Sequence, residues 1–259
     1  MNRAVSNHAC RTRRALLLAG AATLVPGWAR AFGQEGAFHP RLLKTGDMKI
    51  DPLRRKGAAQ WSWEVVRRTS APARLVIGQV SADSDKLLDE PFVVWAGQGN
   101  LQPLTGPELR GLAGYLQLGG ILFVDDSDPA SGAFGAAVRR ELKRVVPASP
   151  VVKLEPRHVL FKSYYLLDAP AGRVMGEPHL EAIFHGRDVQ VIFSSHDLLG
   201  ALARDEDGVW ALEIEGGVPQ REQAVRFAVN IAMYSLCSDY KDDQVHAQEL
   251  MRRRERREQ

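Results

Sequence analysis

Cysteine is almost missing from this chain. Its 259 residues hold two, Cys10 and Cys237, which rules out every metal site built from a cysteine cluster. Long apolar runs are missing too. No stretch of about 18 apolar residues occurs, so no internal membrane span is expected. The dinucleotide-loop spacing Gly-x-Gly-x-x-Gly and the Walker phosphate loop are absent. So is the Gly-x-Ser-x-Gly elbow of serine hydrolases. No internal repeat and no long low-complexity segment interrupts the chain.

What remains suits one sizeable α/β domain with ample length for a core. Residues 1–31 are set apart as an export signal. Thr12-Arg13-Arg14-Ala15-Leu16-Leu17-Leu18 is a twin-arginine pattern leading into the apolar stretch Ala15–Val25. Pro26-Gly27 breaks it, and Ala29-Arg30-Ala31 has the small-x-small form of a cleavage site. Cys10 precedes the apolar run without a lipobox, so no lipid anchor is read there. That segment carries five arginines and no acid, so its removal takes the formal charge from +3 to −2. The basicity therefore belongs to the leader, and nucleic acid is not expected as a partner. Only Cys237 then remains, which excludes an internal disulfide in an exported protein. The expected localisation is periplasmic or otherwise exported.

Residues 32–240 read as alternating strands and helices. Strands are expected at His39–Thr45, Arg74–Val80, Phe92–Trp95 and Ile121–Val124. Helices are expected at Lys56–Thr69, after Thr105-Gly-Pro-Glu108, at Phe134–Val145 and at Pro219–Cys237. Thr105 and Glu108 form a capping box with Pro107 in the first turn. His185-Gly-Arg-Asp188 marks a hairpin between Leu180–Phe184 and Val189–Ser194. Buried strands alternating with helices predict a three-layer α/β fold: a mostly parallel sheet, helices on both faces, and a hairpin extending one edge. Residues 241–259 form a charged tail ending Arg-Arg-Arg-Glu-Arg-Arg-Glu-Gln, read as a solvated helix end.

The chain is organised around Leu118–Asp128. Ile121–Val124 delivers Asp125, Asp126 and Asp128 to the carboxyl edge of the sheet, where open α/β sheets bind ligands. Two uses of these acids stand side by side. One is a hard-cation or acid-pair site. The other is structural: capping the next helix or pairing with Arg139 or Arg140. Asp125 and Asp126, as strand neighbours, point to opposite faces. Gly97-Gln-Gly99-Asn100 is a loop on the same edge whose amides suit either an anion or a plain turn. Ser194-Ser-His196-Asp197 ends another strand, with a helix-capping loop as the alternative to a Ser-His pair. His158 follows a turn and is the other histidine that could join the acids. Trp61, Trp63, Tyr164 and Tyr165 are read either as a docking patch or as core.

Several separated motifs together resemble one family. They are Pro91-Phe-Val-Val-Trp-Ala-Gly97, Tyr115-Leu-Gln-Leu-Gly-Gly120, Leu122-Phe-Val-Asp-Asp126, His158-Val-Leu-Phe161, Arg221-Glu222 with Asn230-Ile231, and Asp239-Tyr-Lys-Asp-Asp-Gln-Val-His246. From roughly Phe38 to Arg254 the chain is similar to domain of unknown function 4159. The resemblance implies a flavodoxin-like, class I glutamine amidotransferase-like fold. It also implies a setting in the bacterial cell envelope, near von Willebrand-type and MoxR-associated membrane proteins. It brings no reaction, cofactor or metal with it. Amidotransferase chemistry needs a cysteine on a strand-to-helix elbow with a histidine beside it, and Cys237 sits near a helix end. The expectation is therefore a non-catalytic binding or assembly component. The alternative is a metal-assisted hydrolase using Asp125 and Asp126 with His158 or His196.

Overall fold

The computed structural model describes residues 36–255, within one compact unit, Phe32–Gln259. The export-signal reading of residues 1–31 and the last four residues of the tail lie outside the described residues. The first half of the fold runs β1 (Arg41–Lys44), α1 (Pro52–Arg68), β2 (Gln79–Ser81), β3 (Phe92–Gly97), α2 (Gly106–Gln117) and β4 (Ile121–Asp126). The second runs α3 (Ala133–Val145), β5 (Val152–Leu154), β6 (Leu180–His185), β7 (Asp188–Ser194), α4 (Leu198–Leu202) and α5 (Gly217–Glu255).

The seven strands form a single sheet in the order β2-β1-β3-β4-β7-β6-β5. Pairing is parallel from β2 through β7. The β6–β7 and β5–β6 pairs are antiparallel, so the expected hairpin extends one edge. Its turn is Gly186-Arg187, with Gly186 at φ +60, a conformation that glycine adopts without a Cβ penalty.

Period-two alternation sorts the core into two layers. Phe92, Val94, Ile121, Phe123 and Ile192 pack with residues of α1, α4 and α5. Val93, Trp95, Leu122, Val124 and Val191 pack with residues of α2 and α3. The central strands β3, β4 and β7 are thus buried on both sides, which is why Ile121–Val124 can be wholly apolar. Trp61 lies wholly inside the first layer, edge-on to Phe92 and Phe123, and its indole N–H donates to the Ala228 carbonyl at 2.7 Å. It belongs to the core, not to a docking patch.

Local signals explain most boundaries. Asp51 caps α1 by accepting from the Leu53 amide at 2.9 Å, and Pro52 follows at the first helical position. The capping box of α2 forms as expected: Thr105 accepts from the Glu108 amide while the Glu108 carboxylate accepts from the Thr105 amide. Two expectations change. The strand expected at Arg74–Val80 is shorter and shifted, at Gln79–Ser81 on the sheet edge. The preceding backbone is held instead by the His39 ring, which contacts the Val76 carbonyl and the Gly78 amide, both at 3.1 Å. The last helix does not stop at Cys237; it runs to Glu255, because nothing in Ser238–Glu255 breaks it: no proline and no glycine. Among the described residues no helix is long and apolar enough to cross a membrane.

Candidate functional site

The carboxyl ends of β3, β4 and β7 meet at one edge, where Ala96 pairs with Asp125 and Asp125 with Ser194. Alternation sends Asp125 to the α1/α4 side and Asp126 to the α3 side, as strand geometry requires. Asp125 is fully buried and accepts from the Leu198 and Leu199 amides, each at 2.8 Å. Those are the first free amides of α4, which have no partner within their own helix. Asp126 accepts from the Asp128 amide at 3.0 Å and from the Gly135 amide in the first turn of α3 at 3.1 Å. The residue before α3 is Gly132, which has no side chain to cap with, so β4 supplies the carboxylate. Asp128 is exposed. Arg139 and Arg140 turn elsewhere, to Glu181 and Glu141.

Beside Asp125 lies a buried ion cluster. Asp197 begins α4 and accepts from Gly200 at 3.1 Å, from Arg54 of α1 at 3.0 Å, and from Arg173. Arg54 also donates to the Ser127 hydroxyl at 3.0 Å, tying α1 to the end of β4. Asp197 is the one non-glycine with positive φ among the described residues, at φ 52. An aspartate tolerates that region better than most residues, and here it aims the carboxylate at both guanidiniums. Burial, then the charge of Asp197, pushes the Asp125 carboxyl well above the usual range. Burial raises Asp197 too, against the pull of Arg54 and Arg173. Asp197 pairs directly with two guanidiniums, whereas Asp125 accepts only from amides and feels Arg54 at longer range, so Asp125 is the harder of the two to ionise.

A strap closes this edge. The Arg173 and Val174 amides donate to the Asp197 and His196 carbonyls at 3.2 and 3.1 Å. Gln220 of α5 holds the strap from outside, donating to the Gly172 carbonyl at 2.9 Å. Gly172 is required: a Cβ there would overlap the His196 carbonyl. The His196 ring is buried and its Nε2 contacts the Glu177 carbonyl at 3.0 Å. Burial holds its pKa below the ordinary value, so the ring is neutral and Nε2–H is the donor. His196 therefore faces the strap and not the Asp125 carboxylate.

The point where the strand order reverses, between β1 and β3, is also filled from within. The Glu108 carboxylate accepts from the Gly46 amide at 2.5 Å and from the Thr105 amide and hydroxyl at 2.8 Å. Burial opposes its charge, but those donors more than offset it, and its pKa lies below the ordinary value. The Gly46 and Thr105 amides are therefore engaged from within the chain. At the end of β3, a Cβ on Gly97 would collide with the Phe134 ring, so this glycine serves packing. Gly99 turns at φ +69 in open space. His158 lies apart. Its ring packs against Phe184 and Tyr234, and Phe184 pairs with Val189 near the start of β7, at the opposite end of that strand from Asp125's partner Ser194. The structure thus gathers Asp125, Ser194, His196 and Asp197 and leaves His158 out. Among the described residues, no three His, Cys, Asp or Glu side chains converge as a metal site would need.

A family model described as Domain of unknown function (DUF4159) matches residues 41–236. The chain belongs to that family. No curated protein matches it. In this DUF4159 chain the matched segment holds every strand of the sheet and both helices held by the β4 acids. Arg54 and Arg173 are the site residues that sequence reasoning missed. They lie 143 and 24 positions from Asp197, and no local pattern marks a partner so remote. The Asp197 helix cap, by contrast, was legible in Ser194-Ser-His-Asp197.

Proposed function

We propose that this protein is an exported, non-catalytic binding or assembly component of the bacterial cell envelope, built on a flavodoxin-like, class I glutamine amidotransferase-like sheet. The observation that carries the reading is the closed carboxyl edge: Asp125 and Asp126 each accept two backbone amides, and at least one of each pair opens a helix. Both carboxylates are buried as well as held by those amides, so neither is presented to a substrate or an attacking water. The parallel strands follow the order β2-β1-β3-β4-β7, which is the flavodoxin-like 2-1-3-4-5 order once the hairpin edge is set aside. The leader pattern in residues 1–31 supports export.

The docking surface we assign lies on the outer side of the strap. A cavity of about 430 Å³ opens between the 166–175 segment and the first turns of α5, lined by Leu166, Pro170, Met175, Pro219, Gln223 and Arg226. Leu166 and Met175 are largely exposed, and the Tyr164–Tyr165 pair adjoins them, with Arg226 over the Tyr165 ring. Leu166 and Met175, grouped with Pro170 and Pro219 around one groove, suit an apolar segment of an envelope protein. The test is capture from envelope extract by the wild-type chain and by Leu166→Asp/Met175→Asp. The reading expects a specific partner that the double variant loses while its fold, checked by thermal melting, is retained. An unchanged capture pattern, or none with either chain, contradicts it.

A further inference from the structure

A second cavity, of about 170 Å³, lies where the end of α1, the first turns of α5 and the segment before α5 meet. Four arginines reach it, Arg67, Arg68, Arg204 and Arg221, together with Trp210. Its two carboxylates are already committed. Glu64 is buried and pairs with Arg67 at 3.0 Å and Arg68 at 2.7 Å. Glu222 pairs with Arg68 at 2.8 Å and Arg226 at 2.9 Å. Glu222 is held down to about 2 by Arg68 first, so it is ionised and engaged at any ordinary pH.

Arg204 and Arg221 have no such partner: among the described residues, no carboxylate comes within 4.0 Å of either. Arg204 donates to the Gly208 carbonyl. Arg221 donates to the Ala201 and Leu212 carbonyls, at 2.5 and 2.7 Å. Carbonyls satisfy N–H groups but carry no countercharge. Both guanidiniums also sit over the Trp210 ring, at 3.7 and 4.5 Å from its centre. A cation–π contact leaves the positive charge in place. Burial, and then the neighbouring Arg204, lowers the Arg221 pKa; the two like charges strain against each other.

Four guanidiniums against two carboxylates thus leave a positively charged cavity with an indole wall. Guanidinium forks match carboxylate and phosphate oxygens, and Trp210, Val218 and Val225 supply an apolar side for the rest of a ligand. We propose that this cavity binds a small oxyanion, a carboxylate or a phosphate, held by Arg204, Arg221 and the half-exposed Arg67. The site is separate from the acid edge and from the apolar groove, and it stands whether or not either serves docking.

The test titrates the full chain with inorganic phosphate and, separately, with acetate, at ionic strength held constant with sodium chloride. Calorimetry gives the affinity and tryptophan emission the location. At least one anion is expected to saturate, with an emission change that Trp210→Phe abolishes. Phosphate alone saturating identifies a phosphate site, and acetate alone a carboxylate site. Arg204→Gln and Arg67→Gln should each weaken binding roughly tenfold or more, the loss of one charge-assisted hydrogen bond. Arg204→Lys should keep part of it. Arg67 is half exposed, so its variant remains informative should Arg204→Gln melt early. No saturation with either anion, or Arg67→Gln titrating like wild type, overturns the proposal.

Discussion

Asp125 and Asp126 are neighbours in sequence and serve opposite faces of the sheet. One carboxylate takes the Leu198 and Leu199 amides on the α4 side; the other takes the Gly135 amide on the α3 side. A single strand end therefore anchors one helix in each outer layer. Loss of a buried acceptor strands the donors it served, at about 1–3 kcal/mol per group. Asp125→Ala should destabilise the protein by about 2–4 kcal/mol in urea denaturation. Asp128→Ala, on the same segment but exposed, should stay within about 0.5 kcal/mol of wild type.

The pH dependence carries the sign of a raised acid. Folding lifts the Asp125 pKa from an ordinary 3.8 to about 7. Across that window the folded chain keeps a proton the unfolded chain has released. Stability conferred at the acid end is therefore lost as pH rises through the window toward about 7. Glu90, Glu108, Glu141 and Glu222, all lowered, act the other way and lose stability only as pH falls below the ordinary glutamate value. His158 and His196, lowered by burial, gain stability with rising pH over part of the same window, so the Asp125 contribution is read from the difference between wild type and Asp125→Asn. That variant should be less stable, by a margin that narrows as pH rises toward about 7; a margin that does not change with pH would assign the titration to another group.

Two helical glycines should respond to alanine with opposite signs. Gly57 of α1 touches α4 so closely that a Cβ would overlap the Leu199 carbonyl, whereas Gly114 of α2 has nothing within 4 Å of its Cβ position. Gly114→Ala should stabilise by about 0.5–1 kcal/mol through helix propensity. Gly57→Ala gains the same propensity but must push α4 off α1, and should destabilise by about 1–3 kcal/mol. Thermal melts of the two single variants decide it.

The sheet was legible because its signals are local. Ile121–Val124 is a run of four apolar residues with a glycine pair before it and acids after it, and the capping box at Thr105 marks where α2 starts. The opposite facing of Asp125 and Asp126 also followed from strand period alone. What was not legible was what each acid would meet. Helix α4 has five residues, too few for a periodic signal. The strap at 171–177 has no pattern beyond its glycines. The pairing of Arg54 with Asp197 joins residues that become neighbours only when α1 packs on α4. Trp210 reads as a polar-loop residue in sequence, and only the fold brings two arginines onto its ring.

The central claim is that the carboxyl edge of the sheet is closed by the protein's own amides and carboxylates. Residue-resolved hydrogen exchange of the native chain tests it most directly, at the Leu198, Leu199 and Gly135 amides. The account predicts that all three are protected to near the level of the core strands, and that Asp125→Asn lowers protection at Leu198 and Leu199 while leaving Gly135 unchanged. Exchange of these amides in wild type as fast as that of an exposed loop would show an open edge and contradict the account.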